Sequence, residues 1–300
     1  MKTRTVMTSA HVVASAAIAG VCGASLLLSV AAGAVSAQEG SVASYSVPIS
    51  GTESWSADMA NLTILPGWPR KDGSRMAALR IDLAEGWKTY WRAPGDAGIP
   101  PVLELQDSDN LAAIDPQWPT PDVFMDNGMR SVGYNQSLTV PVVLTPSSEG
   151  QEIRLRGQMR LGVCKDVCVP VSLPLSLDLP ADLNAQDDSI RAALADRPVP
   201  GQEAGVRKAQ CQLAPTYEGL ALTATLNMPS AGGSEFTIVE TGNPLIWVAE
   251  AKTKRQGNTL TVTTEMMHVE GDPIAIDRSS LRFTVLGKDQ AVDIQGCSAS

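Results

Sequence analysis

Leu161-Gly162-Val163-Cys164-Lys165-Asp166-Val167-Cys168-Val169-Pro170 is the stretch from which the fold is read. Before it, Glu152–Leu161 alternates, with Arg154, Arg156 and Gln158 set against Ile153, Leu155 and Gly157. After it, Val169–Leu179 is a second strand candidate. Period two puts successive side chains on opposite faces of an extended strand. The two cysteines between these runs are four residues apart. A straight strand would hold their Cα atoms about 13 Å apart, whereas a disulfide usually spans roughly 4.4–6.8 Å. A bridged pair therefore demands that the chain turn between Cys164 and Cys168, and Lys165-Asp166 suits the centre of that turn.

Outward from this segment the same texture continues. Leu62-Thr63-Ile64, Met76–Leu83, Gly86–Trp91, Val102–Leu105 and Leu138–Leu144 are strand candidates, and Pro94-Gly95-Asp96-Ala97-Gly98 is a break. In Met76–Leu83 the alternation sets Ala78, Arg80 and Asp82 against Leu79, Ile81 and Leu83. No long helical period occurs. Pro180 ends a strand, Ser189–Ala195 suits a short helix, and Arg197-Pro198-Val199-Pro200-Gly201 has linker composition. Strand-like runs then resume at Leu220–Leu226, Glu235–Val239, Leu245–Ala251, Thr259–Thr264 and Leu281–Val285. The expected architecture is all-β: two antiparallel, immunoglobulin-like β-sandwich domains, at residues 38–182 and 208–300, joined by a short, partly helical linker at 183–207.

Residues 1–37 are expected to be a signal peptide. Lys2 and Arg4 precede an uncharged apolar run from His11 to Ala34, and Val35-Ser36-Ala37 offers small residues for cleavage before Gln38. An uncleaved anchor is the alternative, because the apolar run is long. Cys22 follows Val21, which does not suit lipidation. No later stretch approaches the ~20 apolar residues of a spanning helix, so the mature part is expected to be exported to the periplasm without a transmembrane segment. Beyond Ala37 there are 21 basic against 32 acidic residues, a net charge of −11. An acidic chain without basic clusters argues against nucleic acid or anionic lipid as a partner.

Export changes what the cysteines mean, since paired cysteines outside the cytosol are usually oxidised. Four lie beyond the signal, Cys164, Cys168, Cys211 and Cys297, and spacing favours 164–168 with 211–297 among three pairings. A bridge closing so small a loop as 164–168 removes far less entropy than the ~3 kcal/mol of a 15-residue loop. It is a poor staple, which leaves redox exchange, structure and metal binding open, with exchange favoured. Cys211 and Cys297 flank the second domain, where a bridge is worth on the order of 4 kcal/mol, and are assigned a structural role.

A family comes into view at Gly86-Trp87-Lys88-Thr89-Tyr90-Trp91-Arg92-Ala93-Pro94-Gly95-Asp96-Ala97-Gly98. With Trp118-Pro119, Gly133-Tyr134, Leu138-Thr139-Val140-Pro141 and Val163–Pro170, this run closely resembles the N-terminal periplasmic domain of DsbD-type thiol:disulfide interchange proteins, nearest the branch that includes ScsB, suppressor of copper sensitivity. The resemblance spans about residues 45–180. It implies an immunoglobulin-like domain in which Cys164 and Cys168 accept electrons from a membrane thiol:disulfide reductase and pass them to thioredoxin-fold periplasmic proteins, with Cys168 as the cysteine that partners attack and no cofactor. It also implies a cap loop over the sulfurs. The matching segment is Val123–Arg130, with Phe124, Met125, Asp126 and Met129 as candidate cap and partner-contact residues. Full-length members carry a membrane portion and a thioredoxin-like domain, here expected from separate polypeptides.

Two rival classes stand beside exchange. Met266-Met267-His268, with Met125 and Met129, offers soft ligands for copper(I), although alternating strand packing explains Met266 and Met267 as well. A non-catalytic interaction module is the other, since a sandwich fold does not fix function. A zinc site lacks ligands, because C-x₃-C supplies two of the four required; no metal site is assigned. Hydrolase chemistry finds no G-x-S-x-G, and the mature chain has His268 as its one histidine.

Overall fold

The fold is built from hairpins whose apolar faces meet in pairs. The structure, a computed structural model, describes residues 58–95, 98–126 and 129–300. The expected signal peptide, residues 38–57, Asp96-Ala97 and Asn127-Gly128 lie outside the described residues.

The first sandwich uses ten strands. One sheet orders β1 (Ala60–Pro69), β2 (Arg75–Leu83), β8 (Leu138–Pro146) and β5 (Leu111–Pro116) as β1-β2-β8-β5. The facing sheet contains β10 (Cys168–Leu179), β9 (Ile153–Cys164), β3 (Lys88–Gly95), β7 (Met129–Tyr134) and β6 (Asp122–Asp126) in that order, with β4 (Val102–Glu104) paired to β9. Leu79, Ile81, Val140, Val142 and Leu144 from the first sheet pack against Trp91, Val132, Leu155, Met159, Leu161 and Leu173 from the second. This is the inward half of each period-two pattern.

Ala78 departs from its expected exposure. The helix α1 (Asp188–Ala195) lies on the outer side of the first sheet, and Ile190 and Leu194 pack with Met76, Ala78 and Val143. Both faces of β2 are therefore covered along Arg75–Leu79. The Asp187 carboxylate accepts from the backbone N–H of Ser189 at 2.8 Å and of Ile190 at 3.3 Å, satisfying donors that the first helical turn leaves open.

The second sandwich pairs two more sheets. One is β11 (Val199–Pro200), β19 (Ala291–Gln295), β18 (Arg282–Leu286) and β14 (Phe236–Glu240). The other runs β15 (Ile246–Val248), β17 (Thr259–His268), β13 (Gly219–Asn227), β12 (Lys208–Pro215) and β20 (Ser298–Ala299), with β16 (Lys252–Gln256) also on β17. Leu222, Ala224, Leu226, Val262, Phe283 and Val285 fill its core. Pairing is antiparallel throughout the described strands except for the short β11–β19 and β12–β20 contacts.

The two sandwiches lie within one compact unit. Phe236, Ile238, Leu286 and Ala291 of the second extend the core of the first. Arg92 on β3 forks onto the Glu240 carboxylate at 3.0 and 2.9 Å. Arg130, itself buried, pairs with Glu250 at 3.4 Å and stacks over Phe236.

Candidate functional site

β9 and β10 are twelve residues each and pair without a slip from Ile153↔Leu179 to Cys164↔Cys168. Lys165-Asp166-Val167 closes the hairpin, with the Lys165 N–H donating to Val167 O. The cysteines thus face each other at the last rung, Cα atoms 4.1 Å apart, and are joined by a disulfide. The turn required by the four-residue spacing is this three-residue loop. Its two ends differ in exposure. Cys164 is 1 % exposed, whereas Cys168 is on the surface.

The cover over Cys164 comes from β3. Lys88 pairs with Cys164 and Thr89 with Val163. Alternation therefore puts Val163 and Thr89 toward the core, and Cys164, Gly162 and Tyr90 on the outer face. The Tyr90 hydroxyl reaches both sulfurs, at 2.9 Å from Cys164 Sγ and 3.1 Å from Cys168 Sγ. A bridged sulfur carries no proton, so the phenol is the donor. Gly162 makes this geometry possible. A Cβ there would stand 3.1 Å from two carbons of the Tyr90 ring and 2.8 Å from Ile99 Cβ. On the other side of the ring, a Cβ at Gly98 would lie 2.9 Å from Cδ1. The ring fills a slot between two bare backbones, and its hydroxyl has little freedom to leave the disulfide.

Two lysines stand at or beside the loop. Lys165 Nζ donates to Glu85 O at 3.3 Å. Lys88 Nζ lies 5.4 Å from the centre of the Phe124 ring, within cation–π range. Tyr134, beside Thr89 in the next strand, is buried, which pushes its hydroxyl well above the ordinary phenol range. It donates to Pro119 O at 2.8 Å and serves as a neutral strut.

The candidate cap residues occupy the β6–β7 hairpin. Phe124 is half-buried and pairs with Ser131; Met125 and Met129 are 63 % and 52 % exposed. Asp126 ends β6 opposite Met129. Register places Met129 five residues along β7 from Tyr134, the residue level with Thr89 and Val163. Arg130, at the end of the same segment, belongs to the contact with the second sandwich. The residue at the sulfurs that sequence reasoning did not single out is Tyr90, whose hydroxyl contacts both of them. Gly162, two positions before a cysteine on the same face, was the available signal.

The remaining candidates sit in the second sandwich. Cys211 and Cys297 form a disulfide, with Cys211 in the core. Met266 is buried in that core and Met267 and His268 are half-buried. The backbone N–H of Glu270 donates to His268 Nδ1 at 3.3 Å, and an Asp272 oxygen lies 3.9 Å from it. Among the described residues His268, Glu270 and Asp272 are the one such cluster of ligand-type side chains.

Residues 63–180, the segment holding this hairpin and its tyrosine, match the family model described as thiol:disulfide interchange protein DsbD, N-terminal. The matched segment falls within the first sandwich and includes both cysteines of the hairpin. The resemblance to a solved structure extends past that segment. The N-terminal periplasmic domain of ScsB from Proteus mirabilis superposes with a TM-score of 0.62 at 22 % identity, covering 81 % of this chain and 95 % of that one. The fold is therefore shared across both sandwiches. The DsbD N-terminal domain of Neisseria meningitidis in its reduced form is also matched, with a TM-score of 0.25, 16 % identity and coverage of 39 % of this chain and 82 % of that one. No curated protein sequence matches the chain. No described helix is long and apolar enough to cross a membrane. The match to the DsbD N-terminal family model and the disulfide at the tip of the β9–β10 hairpin together fit thiol:disulfide exchange.

Proposed function

We propose that this protein is an exported, periplasmic electron relay, taking electrons from a membrane thiol:disulfide reductase and delivering them to thioredoxin-fold periplasmic proteins through Cys164 and Cys168. The asymmetry of the pair supports this reading: one cysteine is presented to solvent and the other is buried under a hydroxyl.

In the loading half-reaction a donor thiolate attacks Sγ of Cys168, the exposed end. The Cys164–Cys168 bond breaks as the donor–Cys168 bond forms, and its electron pair leaves on Cys164 Sγ. That sulfur becomes a thiolate in a buried position, where charge is costly without a donor, and the Tyr90 hydroxyl stands at 2.9 Å to stabilise it. The donor's second thiolate then attacks the mixed disulfide. The donor leaves as a disulfide, and Cys164 and Cys168 hold the two electrons and, after protonation, two protons. Delivery is the same sequence reversed, with Cys168 thiolate attacking the oxidised client and Cys164 resolving. No general base is needed when the attacking thiol is already ionised.

The test uses a reduced thioredoxin-fold donor whose second cysteine is replaced by serine, with acid quenching to capture the mixed disulfide before Cys164 expels the donor. Peptide mass spectrometry is expected to find the donor on Cys168. A pair inert to every such donor, or adducts exclusively on Cys164, overturns the proposal.

A further inference from the structure

The second sandwich is joined to the first at the strand that carries Tyr90. After Tyr90↔Gly133 the β3–β7 register breaks, and pairing resumes at Gly95↔Ser131. Five steps along β3 answer two along β7, so Trp91–Pro94 form a bulge outside the regular register. Bulges of this kind re-aim side chains beside functional sites. Pro94, in the same bulge, packs near Gly98, where an added Cβ would lie 2.2 Å from Pro94 Cβ and 2.9 Å from the Tyr90 ring.

Side chains fix the bulge. Trp91 drops into the first core, fully buried. Arg92, two residues after Tyr90, stacks over the Trp91 ring at 3.9 Å and makes a two-pronged contact with Glu240 at the end of β14. Its second nitrogen also lies 3.5 Å from Thr284 Oγ1 on β18. Glu240 is steadied in turn, because it pairs in register with Arg282, which forks onto Asp293 at 2.7 and 2.8 Å. Arg92 and Glu240 are each about four-fifths shielded from solvent. A planar guanidinium held between an indole and a carboxylate has a defined position, which a flexible ammonium would not reproduce.

We infer that Glu240 is a positioning residue for the exchange reaction: through Arg92 the second sandwich sets the β3 bulge, and thereby the aim of the Tyr90 hydroxyl at the Cys164–Cys168 disulfide. This rests on the exchange role proposed above, and it gives the second sandwich a task in the chemistry of the first.

The experiment is a double-mutant cycle on the full mature chain, reading the second-order rate at which dithiothreitol reduces Cys164–Cys168. A small dithiol needs no docking surface, so the rate reports the disulfide and its surroundings. Glu240→Ala is expected to slow reduction by about fivefold, and Glu240→Asp to restore part of the loss. In a Tyr90→Phe background Glu240→Ala is expected to have no further effect, since the hydroxyl it aims is gone. Arg92→Lys gives the same pattern should Glu240→Ala fold poorly. An equal effect of Glu240→Ala in both backgrounds, or a wild-type rate in folded Glu240→Ala and Arg92→Lys proteins, overturns the inference. Failure of the relay itself looks different: wild-type protein inert to thioredoxin-fold donors while the dithiothreitol cycle remains readable.

Discussion

The hydroxyl of Tyr90 lies 2.9 Å from Sγ of Cys164, a sulfur otherwise enclosed by protein. A hydrogen bond to a charged group contributes about 1.5–3 kcal/mol. Cys164 gains its charge only as the disulfide opens, so the bond strengthens along the reaction. Tyr90→Phe keeps the ring in its slot and removes the donor. Reduction is expected to slow by about tenfold, the rate equivalent of about 1.4 kcal/mol, with the melting temperature nearly unchanged. Stopped-flow reduction and a thermal melt on the same sample check both halves.

The slot itself makes a second prediction. A methyl at position 162 would meet Ile99 Cβ at 2.8 Å and the Tyr90 ring at 3.1 Å. Neither neighbour is the loose end of a flexible side chain. Gly162→Ala therefore displaces the ring, costing about 1–3 kcal/mol of stability as overpacking does, and carries the hydroxyl off the sulfurs. It is expected to lower both the unfolding midpoint and the reduction rate, whereas Tyr90→Phe lowers the rate alone. A Gly162→Ala protein with wild-type values of both sinks the slot argument.

The hairpin was legible in the sequence and the tyrosine was not, for a physical reason. Alternation along Glu152–Leu161 is a local signal, and a cysteine spacing too long for a straight strand forces the turn. Tyr90 meets Cys164 because β3 pairs with β9 in one register, at a sequence separation of 74. Long-range register leaves no trace in a local pattern. Ala78 shows the same limit from another side. Its alternation was visible, but the cover of α1 on the outer face of β2 depends on a helix more than a hundred residues later. Strands β5, β7 and β19 escaped, whereas β14 and β18, no longer than these, were found from the β-branched and aromatic runs Phe236–Val239 and Phe283–Val285. Leu245–Ala251 resolved into the three residues of β15, because the chain leaves the sheet after Val248 before β16.

The Cys211–Cys297 bridge closes a far longer loop than Cys164–Cys168, with a sequence separation of 86. In the chain-entropy model such a loop is worth about 4 kcal/mol. It also ties down β20, whose pairing with β12 is only two residues long. Cys211→Ser with Cys297→Ser is expected to destabilise the second sandwich by about 2–4 kcal/mol, seen as a lower denaturant midpoint. Dithiothreitol reduction of Cys164–Cys168 should be unaffected while the protein stays folded.

The last prediction concerns acid. Glu235 is held by Arg255, which donates from Nη2 at 2.7 Å and also from Nε, and by the Ala231 N–H at 2.7 Å. Burial alone would raise the carboxyl pKa, but these donors outweigh it and hold it below its ordinary value. A carboxylate whose folded pKa is depressed stabilises the fold above its unfolded pKa of about 4.3, and the contribution fades as pH falls toward the folded pKa. The wild-type melting temperature should therefore drop as pH falls below about 4.5. Glu235→Gln should melt lower at neutral pH and show a shallower drop, because it has no charge to lose. Parallel acid slopes in the two proteins would show that Glu235 and Arg255 do not carry this share of the acid sensitivity.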